Sequence, residues 1–509
     1  MTISTQGNVN PSSIGVPGVY VNINPPPTAP LSGAPSSIVG IVGTSNWGPV
    51  NSPVAVGSEA GASIFFGPMQ ARKYDLMTAV HCAALNGASN FRLVRQTDGT
   101  DTAAAATVQT NGGTATAIYT GTRGAQIVMT IANGSKPSTK KVTIQLPGLQ
   151  AEVFDNIVAV AASNASWLAI AAAINTGIGL QPRSQLVVFS AGVSVAAPVN
   201  GAISLTGGND GATTITSTVL IGSDSAPRTG LYALRSTGAA VVFCADNDDS
   251  TTWSTVAAFA QSEAAYGYGC SASGDTIANF ITTMAGAATD TPWFKVIFGD
   301  WVYMIDGVNS LTRVVSPIAF AAGNKVAVGP QNSSLNKPLM GVVGTQKSYA
   351  NQVYSTPELQ QIGQARGDVI ILNPPGGQYA AMAFGHNSSS DASRKGDNYT
   401  TLTNFLAQSL DQRAGTGLFI GRLITPDESR ELSSTLGSFL HALWDNKIIG
   451  NAQGTVPYSV LIDNTQATIG VQKAVIQVQY LSVLEVLVVD VTGGQTVQIL
   501  SQPNLLLAA

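Results

Sequence analysis

The sequence predicts an α/β chain of several domains, α+β in overall organisation. A discontinuous α/β core is formed by N- and C-terminal parts, interrupted by a β-rich insertion and flanked by extended terminal arms. Three observations predict this. Buried-type strands alternate with amphipathic helices on either side of a long Thr-, Ala-, Gly- and Val-rich stretch. That stretch, about residues 98–210, carries period-two apolar runs. The first 35 residues hold a short β-prone run and a proline cluster, with nothing to build a core. At 509 residues the chain has room for about three domains, each burying its own core.

The elements follow in order. Residues 1–35 read as an N-terminal arm and proline-rich linker, with VPGVYVNI at 16–23 as a strand and NPPPTAPLSG at 24–33 as an extended spacer. An isolated strand cannot bury itself, so this segment is either a disordered tail or an arm that adds its strand to another sheet. Residues 36–97 read as the first part of the α/β core. SIVGIV at 37–42 is a buried-type strand, and a turn-rich loop follows at 44–53. A helix spans 76–85 and ends at Asn86-Gly87, and a strand follows at 91–94.

Residues 98–211 read as the β-rich insertion, with strands at QIVMTI (126–131) and KVTIQL (141–146), closing at LTGGNDG (205–211). Residues 212–345 read as a middle α/β domain, with strands at 239–243 and 294–298, a helix at 253–266 and a boundary at PQNSSLNKP (330–338). Residues 346–509 read as a C-terminal core domain with a terminal strand arm. There Thr356-Pro357-Glu358 starts a helix, with threonine as the N-cap and proline at the first helical position. A second helix, 398–413, carries Leu402, Phe405, Leu406 and Leu410. Thr425-Pro426-Asp427-Glu428 is a capping box that launches a helix with Leu432, Leu436, Phe439, Leu440, Leu443 and Trp444 on its stripe. Long β structure is expected from 471 to 491, then a turn and a last strand at 496–501.

Composition limits the function. Only 10% of residues are charged, against about 25% for an ordinary soluble domain. Such a surface is tolerable in a membrane or when covered by other subunits. The most apolar run, VLEVLVVDV at 483–491, carries two acids, so a spanning helix and membrane insertion are not expected. The opening residues lack the basic start and apolar stretch of a signal peptide, which reads as a chain made without export. A net charge of −4 without a basic run argues against nucleic-acid binding. The three cysteines, Cys82, Cys244 and Cys270, are far apart and read as reduced, buried small hydrophobes.

A search for chemistry comes back empty. His81, His386 and His441 show no metal-ligand spacing, and HExxH, GxSxG and GxxxxGK[ST] motifs are absent. Gly267-Tyr268-Gly269-Cys270-Ser271-Ala272 fits a loose dinucleotide fingerprint, but a helix is expected before it where a strand is required. Asp246-Asn247-Asp248-Asp249 lacks the Gly and Glu of a calcium loop, with Thr251 and Ala257 in those places, and reads as acids before a helix N-terminus. No catalytic, metal or cofactor site is expected, and no enzyme.

Four stretches carry a resemblance: PGVYV at 17–21; SIVGIVGTSNWGPVNSP at 37–53 with IFFG at 64–67; the segment 76–95 ending NGASNFRLVR; and TGGNDG at 206–211. In order and spacing they resemble the contractile tail sheath proteins of bacteriophages and related injection machines. The family's NGG turn is NGA here, at Asn86-Gly87-Ala88. The resemblance implies a structural subunit that polymerises as stacked hexameric rings around a tail tube. The sheath would contract by subunit rearrangement to drive the tube through the host envelope. It implies as partners copies of itself, the tail tube protein, and baseplate and tail terminator proteins, with location in the virion tail and assembly in the host cytoplasm. It also implies that the insertion faces outward and that the arms add strands to neighbours.

The arm residues so implied are Val16, Gly18, Val19, Tyr20, Val21 and Ile23. Val475, Val478, Val486, Val488, Val497 and Ile499 would receive or donate strands, and Arg413, Arg422, Arg430 and Lys447 are basic candidates for facing the tube. A tube, capsid or fibre protein is the nearest rival, although a tube subunit is normally shorter and built on one β-domain. An α/β enzyme is the distant rival.

Overall fold

The structure, a computed structural model, describes residues 2–4, 20–22, 33–158, 163–287, 289–374, 376–414, 419–485 and 487. At its centre is a six-stranded sheet in the order Phe294–Ile297, Tyr266–Cys270, Val241–Cys244, Ile38–Gly43, Asn90–Arg95, Val54–Val56. The first five strands are parallel and the last is antiparallel. Chain order reverses between Ile38–Gly43 and Val241–Cys244, as in doubly wound α/β sheets. Such strands are covered on both faces and read as unbroken apolar runs, as IVGIVG does with all six residues buried. Val39 and Ile41 point into one core, with helices Leu76–Leu85 and Ile318–Val328. Ile38 and Val42 point into the other, with Trp253–Ser262.

Helix Leu76–Leu85 has the expected bounds, with Asp75 accepting from the Thr78 N–H at its start and Asn86 as C-cap. Gly87 follows at φ 98°, where a Cβ would also come within 2.7 Å of Ala327. Helix 318–328 lies close against this helix, because Gly323 leaves no side chain where a Cβ would sit 2.4 Å from the Ala83 carbonyl oxygen.

The expected helix 253–266 is two elements, Trp253–Ser262 and the buried strand Tyr266–Cys270, separated by Ala264 in the left-handed region at φ 50°. Gly267 and Gly269 therefore sit inside a strand rather than in a phosphate-binding turn. A Cβ on Gly269 would come within 2.8 Å of the Phe294 ring and 2.9 Å of Trp253 Nε1, so these glycines make room for aromatic packing.

The insertion has its own core between two antiparallel sheets. One sheet contains Glu152–Val158, Thr139–Gln145, Val128–Asn133 and Gly201–Ser204; the other contains Val187–Ala191, Gly113–Thr120 and Ala103–Val108. A helix not expected from sequence, Ala165–Thr176, packs its Trp167 and Ile170 into that core. Trp47, from the loop after the first core strand, packs edge-on against Tyr119 at 5.3 Å and joins the two units. Buried Arg95 ties the neck through the Gly48, Thr120 and Asp210 carbonyl oxygens.

In the C-terminal part the first helix is Thr356–Gln364. Its N-cap is Ser355, one residue before the expected threonine, because Ser355 and Glu358 form the reciprocal box. Helices Asp397–Ala414 and Pro426–Asp445 follow. Thr425 caps the latter, but the Glu428 carboxylate pairs with Arg422 instead of closing the box. The expected β run from 471 to 491 holds one described strand, and its residues 486 and 488–491 lie outside the described residues. Its strand is Lys473–Val478, paired antiparallel with an unforeseen strand, Tyr458–Asp463. Residues 479–485 continue without strand structure, and the expected strand 496–501 lies outside the described residues.

Candidate functional site

In a doubly wound sheet, ligands bind outside the carboxyl ends of the strands where chain order reverses. Here that place is filled by the chain itself. The Thr44 N–H donates to the Tyr74 carbonyl at 2.8 Å, and the Tyr74 N–H donates to Asp246 Oδ2 at 2.8 Å. Lys73 closes on Asp248 at 2.7 Å, and Asp249 caps the turn that leads into helix 253–262. The acidic run thus works as a strand-to-helix loop, as its sequence suggests.

The titratable groups elsewhere are occupied in packing. His81 Nδ1 lies 2.8 Å from Glu59 Oε1, His386 stacks on Phe384, and His441 lies 3.3 Å from the Tyr458 hydroxyl. All three cysteines are free and buried, and burial pushes the Cys244 thiol up to about 12. No three His, Cys, Asp or Glu residues among the described ones cluster to hold a metal. No described helix is long and apolar enough to cross a membrane.

One charged cluster escapes sequence reasoning. Lys295, fully buried on the edge strand of the central sheet, donates to Asp368 Oδ2 at 2.9 Å, Asp397 Oδ2 at 3.1 Å and Ser334 Oγ at 3.0 Å. Burial pushes the Asp397 carboxyl up, but Lys295, Lys325 and Ser334 more than offset this and hold it below the usual carboxylate range. Burial lowers the Lys325 ammonium to about 8. These residues come from four distant segments, and they fasten the start of helix 397–414 to the sheet. With Lys295 and both carboxylates sealed from solvent, the cluster reads as an anchor for the C-terminal part.

That part carries the surface most suited to assembly. The hairpin Tyr458–Asp463/Lys473–Val478 is a two-stranded sheet, and among the described residues neither outer edge has a further strand. The pairs Tyr458↔Val478 and Val460↔Ile476 lie on one face and pack on Leu402, Leu406, Phe439, Leu440, Leu443 and Ile449. The pair Leu461↔Val475 lies on the other, with Leu461 65% exposed. Of the residues named from sequence, Val478 is thus an inner packing residue and Val475 an outer one; Val486, Val488, Val497 and Ile499 lie outside the described residues.

The described part of the arm is not isolated. Its strand is Tyr20–Asn22, which pairs in parallel with Thr2–Ser4 of the same chain, Val21 opposite Ile3. Among the described residues, one edge of the arm strand is therefore taken and one is free. Val16, Gly18, Val19 and Ile23 lie outside the described residues.

Two of the basic candidates, Arg422 and Arg430, pair with acids at the start of helix 426–445. Arg422 is paired with Glu428 at 3.1 Å and Glu431 at 3.2 Å, and Arg430 with Asp427 at 2.7 Å. Lys447 is exposed just after helix 426–445, and Arg413 lies near the end of helix 397–414. Local acids thus balance Arg422 and Arg430.

No protein-family model and no curated protein matches the sequence. Solved structures do match. The sheath tail protein from Desulfitobacterium hafniense superposes with a TM-score of 0.59 at 16% identity, over 91% of this chain and 100% of that one. The sheath tail protein from Listeria innocua gives 0.61 at 15% identity, over 86% and 90%. The sheath of an extracellular contractile injection system, the PVC sheath complex in its contracted state, gives 0.54 at 11% identity, over 95% and 98%. The chain therefore has the fold of the contractile tail sheath proteins.

Proposed function

We propose that this chain is a structural subunit of a contractile sheath that polymerises as stacked six-membered rings around a tail tube. Its contraction drives the tube through a host envelope. The observation that carries the reading is the likeness to sheath proteins over at least 86% of this chain and 90% of theirs. Two features support it independently: a C-terminal hairpin open at both edges among the described residues, and a terminal strand with a free edge ahead of a proline-rich spacer.

In this reading each arm adds its strand to a neighbour's hairpin. About five ladder bonds at about 1 kcal/mol each give several kcal/mol per joint before ordering costs. Joints of that size, repeated through a polymer, hold subunits together while their packed faces rearrange. Work comes from a metastable extended packing passing to a lower-energy one, released when the baseplate opens. Tail tube, baseplate and terminator proteins are the partners, the virion tail is the location, assembly takes place in the host cytoplasm, and the insertion faces outward. No nucleotide chemistry is required of the chain.

Negative-stain electron microscopy of the purified chain, beside a version lacking residues 1–30, tests the reading. Long hollow tubes from the full chain and discrete particles from the truncation are expected. Tubes from both would remove the arm's role, and discrete particles from both, even with tube protein added, would remove the sheath.

A further inference from the structure

Beside the hairpin lies a cleft of 510 Å³, walled by Trp293, Tyr399 and Tyr480 with Pro292, Thr403 and Arg394 at its rim. Tyr399 and Tyr480 lie nearly parallel, 17° apart with ring centres at 6.2 Å. The Tyr480 hydroxyl is 2.9 Å from Thr403 Oγ1, and Trp293 Nε1 donates to Asn404 Oδ1 at 3.2 Å. Hydrogen bonds thus hold two of the three aromatic side chains that line the cleft. Grooves lined by aromatic rings recognise polyproline helices, whose rings stack on them and whose backbone loses little entropy on binding. This chain holds one such ligand: Asn-Pro-Pro-Pro-Thr-Ala-Pro at residues 24–30, which lie outside the described residues.

We propose that the cleft takes the proline-rich spacer of a neighbouring copy. Where the chain re-enters the described structure argues against its own spacer. Gly33 sits against Phe405, with room for no Cβ, and the Ala34 N–H donates to Ser409 Oγ at 2.8 Å. At about 100° per residue, Phe405 and Ser409 lie on a different face of helix 397–414 from Tyr399 and Thr403. Between those faces run Leu402 and Leu406, buried under the hairpin on one side, and Asn404 and Gln408, buried on the sheet on the other. A chain leaving at Gly33 has to cross a packed stripe to reach the cleft. A neighbour's spacer does not.

The docking fixes a polarity. Tyr480 stands two residues beyond Val478, at the end of the hairpin where Val478 faces Tyr458. The spacer follows the arm strand directly in sequence. A neighbour's arm strand whose spacer rests in the cleft therefore lies along the hairpin with its C-terminal end at the Tyr458/Val478 end. Residues 24–30 as polyproline span roughly 22 Å, enough to cross the cleft and continue towards their own subunit.

This rests on the arm-exchange reading above, and cysteine cross-linking of full-length chains separates the two. The native cysteines are buried. Chains carrying Pro27→Cys are mixed with chains carrying Thr403→Cys under assembly conditions, with Pro27→Cys against the exposed Ser438→Cys as control. Val21→Cys against Ser459→Cys or Gln477→Cys reports the arm strand. The expected result is a disulfide joining the Pro27→Cys chain to the Thr403→Cys chain at about tenfold or more the control yield, lost when Tyr399→Ala is added. An arm link without the cleft link overturns the docking and leaves arm exchange standing. Failure of both links overturns both. A link between positions 27 and 403 formed within single chains of the double variant, shown by mixing isotopically heavy and light protein, overturns the assignment to a neighbour.

Discussion

Replacing Lys295 with methionine keeps the length of the side chain and removes the cation that two buried carboxylates share. Lys295, Asp368 and Asp397 are all fully buried, so water cannot take the place of the ammonium. Breaking a buried ion pair from one side costs about 3–5 kcal/mol. The remaining donors moderate this. Asp368 keeps the N–H groups of Val369, Phe384 and Gly385, and Asp397 keeps Ser334 and the nearby Lys325. The lower end of the range, about 3–4 kcal/mol, is expected. Because the cluster pins helix 397–414 to strand 294–297, the loss should show as local opening rather than as a shift of one global transition, which a multidomain chain need not have.

Hydrogen exchange read by mass spectrometry is the suitable assay. Protection of peptides covering the first turns of helix 397–414 should fall by roughly 10²–10³, at about 1.4 kcal/mol per decade, while the insertion keeps its own. Lys295→Met with Asp397→Asn should recover part of the loss, since it removes one of the uncompensated charges. Protection within threefold of the parent, or no recovery in the double variant, refutes the anchor.

Further outcomes follow from other contacts. Gly323→Ala places a Cβ against the Ala83 backbone and should cost about 1–3 kcal/mol by prising apart helices 318–328 and 76–85, measured by chemical unfolding with near-ultraviolet dichroism; an unchanged midpoint contradicts the close packing. Burial pushes the Asp75 carboxyl up to about 6, above its ordinary 3.8, so the folded state binds the extra proton between those values. Stability should therefore fall as pH rises from about 4 to 6, and Asp75→Asn, which keeps an N-cap, should flatten that slope in a pH series of thermal unfolding. Leu461→Lys with Val475→Lys changes only the outer hairpin face. It should leave the subunit's own stability within about 0.5 kcal/mol while abolishing polymer formation in sedimentation, and polymers from this variant would exclude that face from the joint.

What the sequence disclosed was what local chemistry controls. Helix 76–85 was legible at both ends because Asn86-Gly87 stops it, and helix 426–445 because Thr425-Pro426 starts it. The cap of helix 356–364 slipped by one because Ser355 and Thr356 can both cap, and only the spacing to Glu358 selects the serine. The break at Ala264 went unseen, since the left-handed turn there is imposed by packing and not by a glycine or asparagine. Strand 458–463 went unseen because its alternation is short and its partner lies across a nine-residue loop, 464–472. The Lys295 cluster was out of reach, its members being 73 and 102 residues away from the lysine. The assembly surface was legible only in part. The family resemblance pointed to both termini, but which face of the hairpin is free depends on how helices 397–414 and 426–445 cover the other.

Cryo-electron microscopy of the assembled full-length chain tests sheath assembly most directly. The expected reconstruction is a tube of six-membered rings in which hairpin 458–478 is widened by a strand from another subunit. That strand should be followed by density packed against the cleft lined by Trp293, Tyr399 and Tyr480. Rings without an added strand at either hairpin edge, or a polymer of a different symmetry joined through other faces, would contradict it.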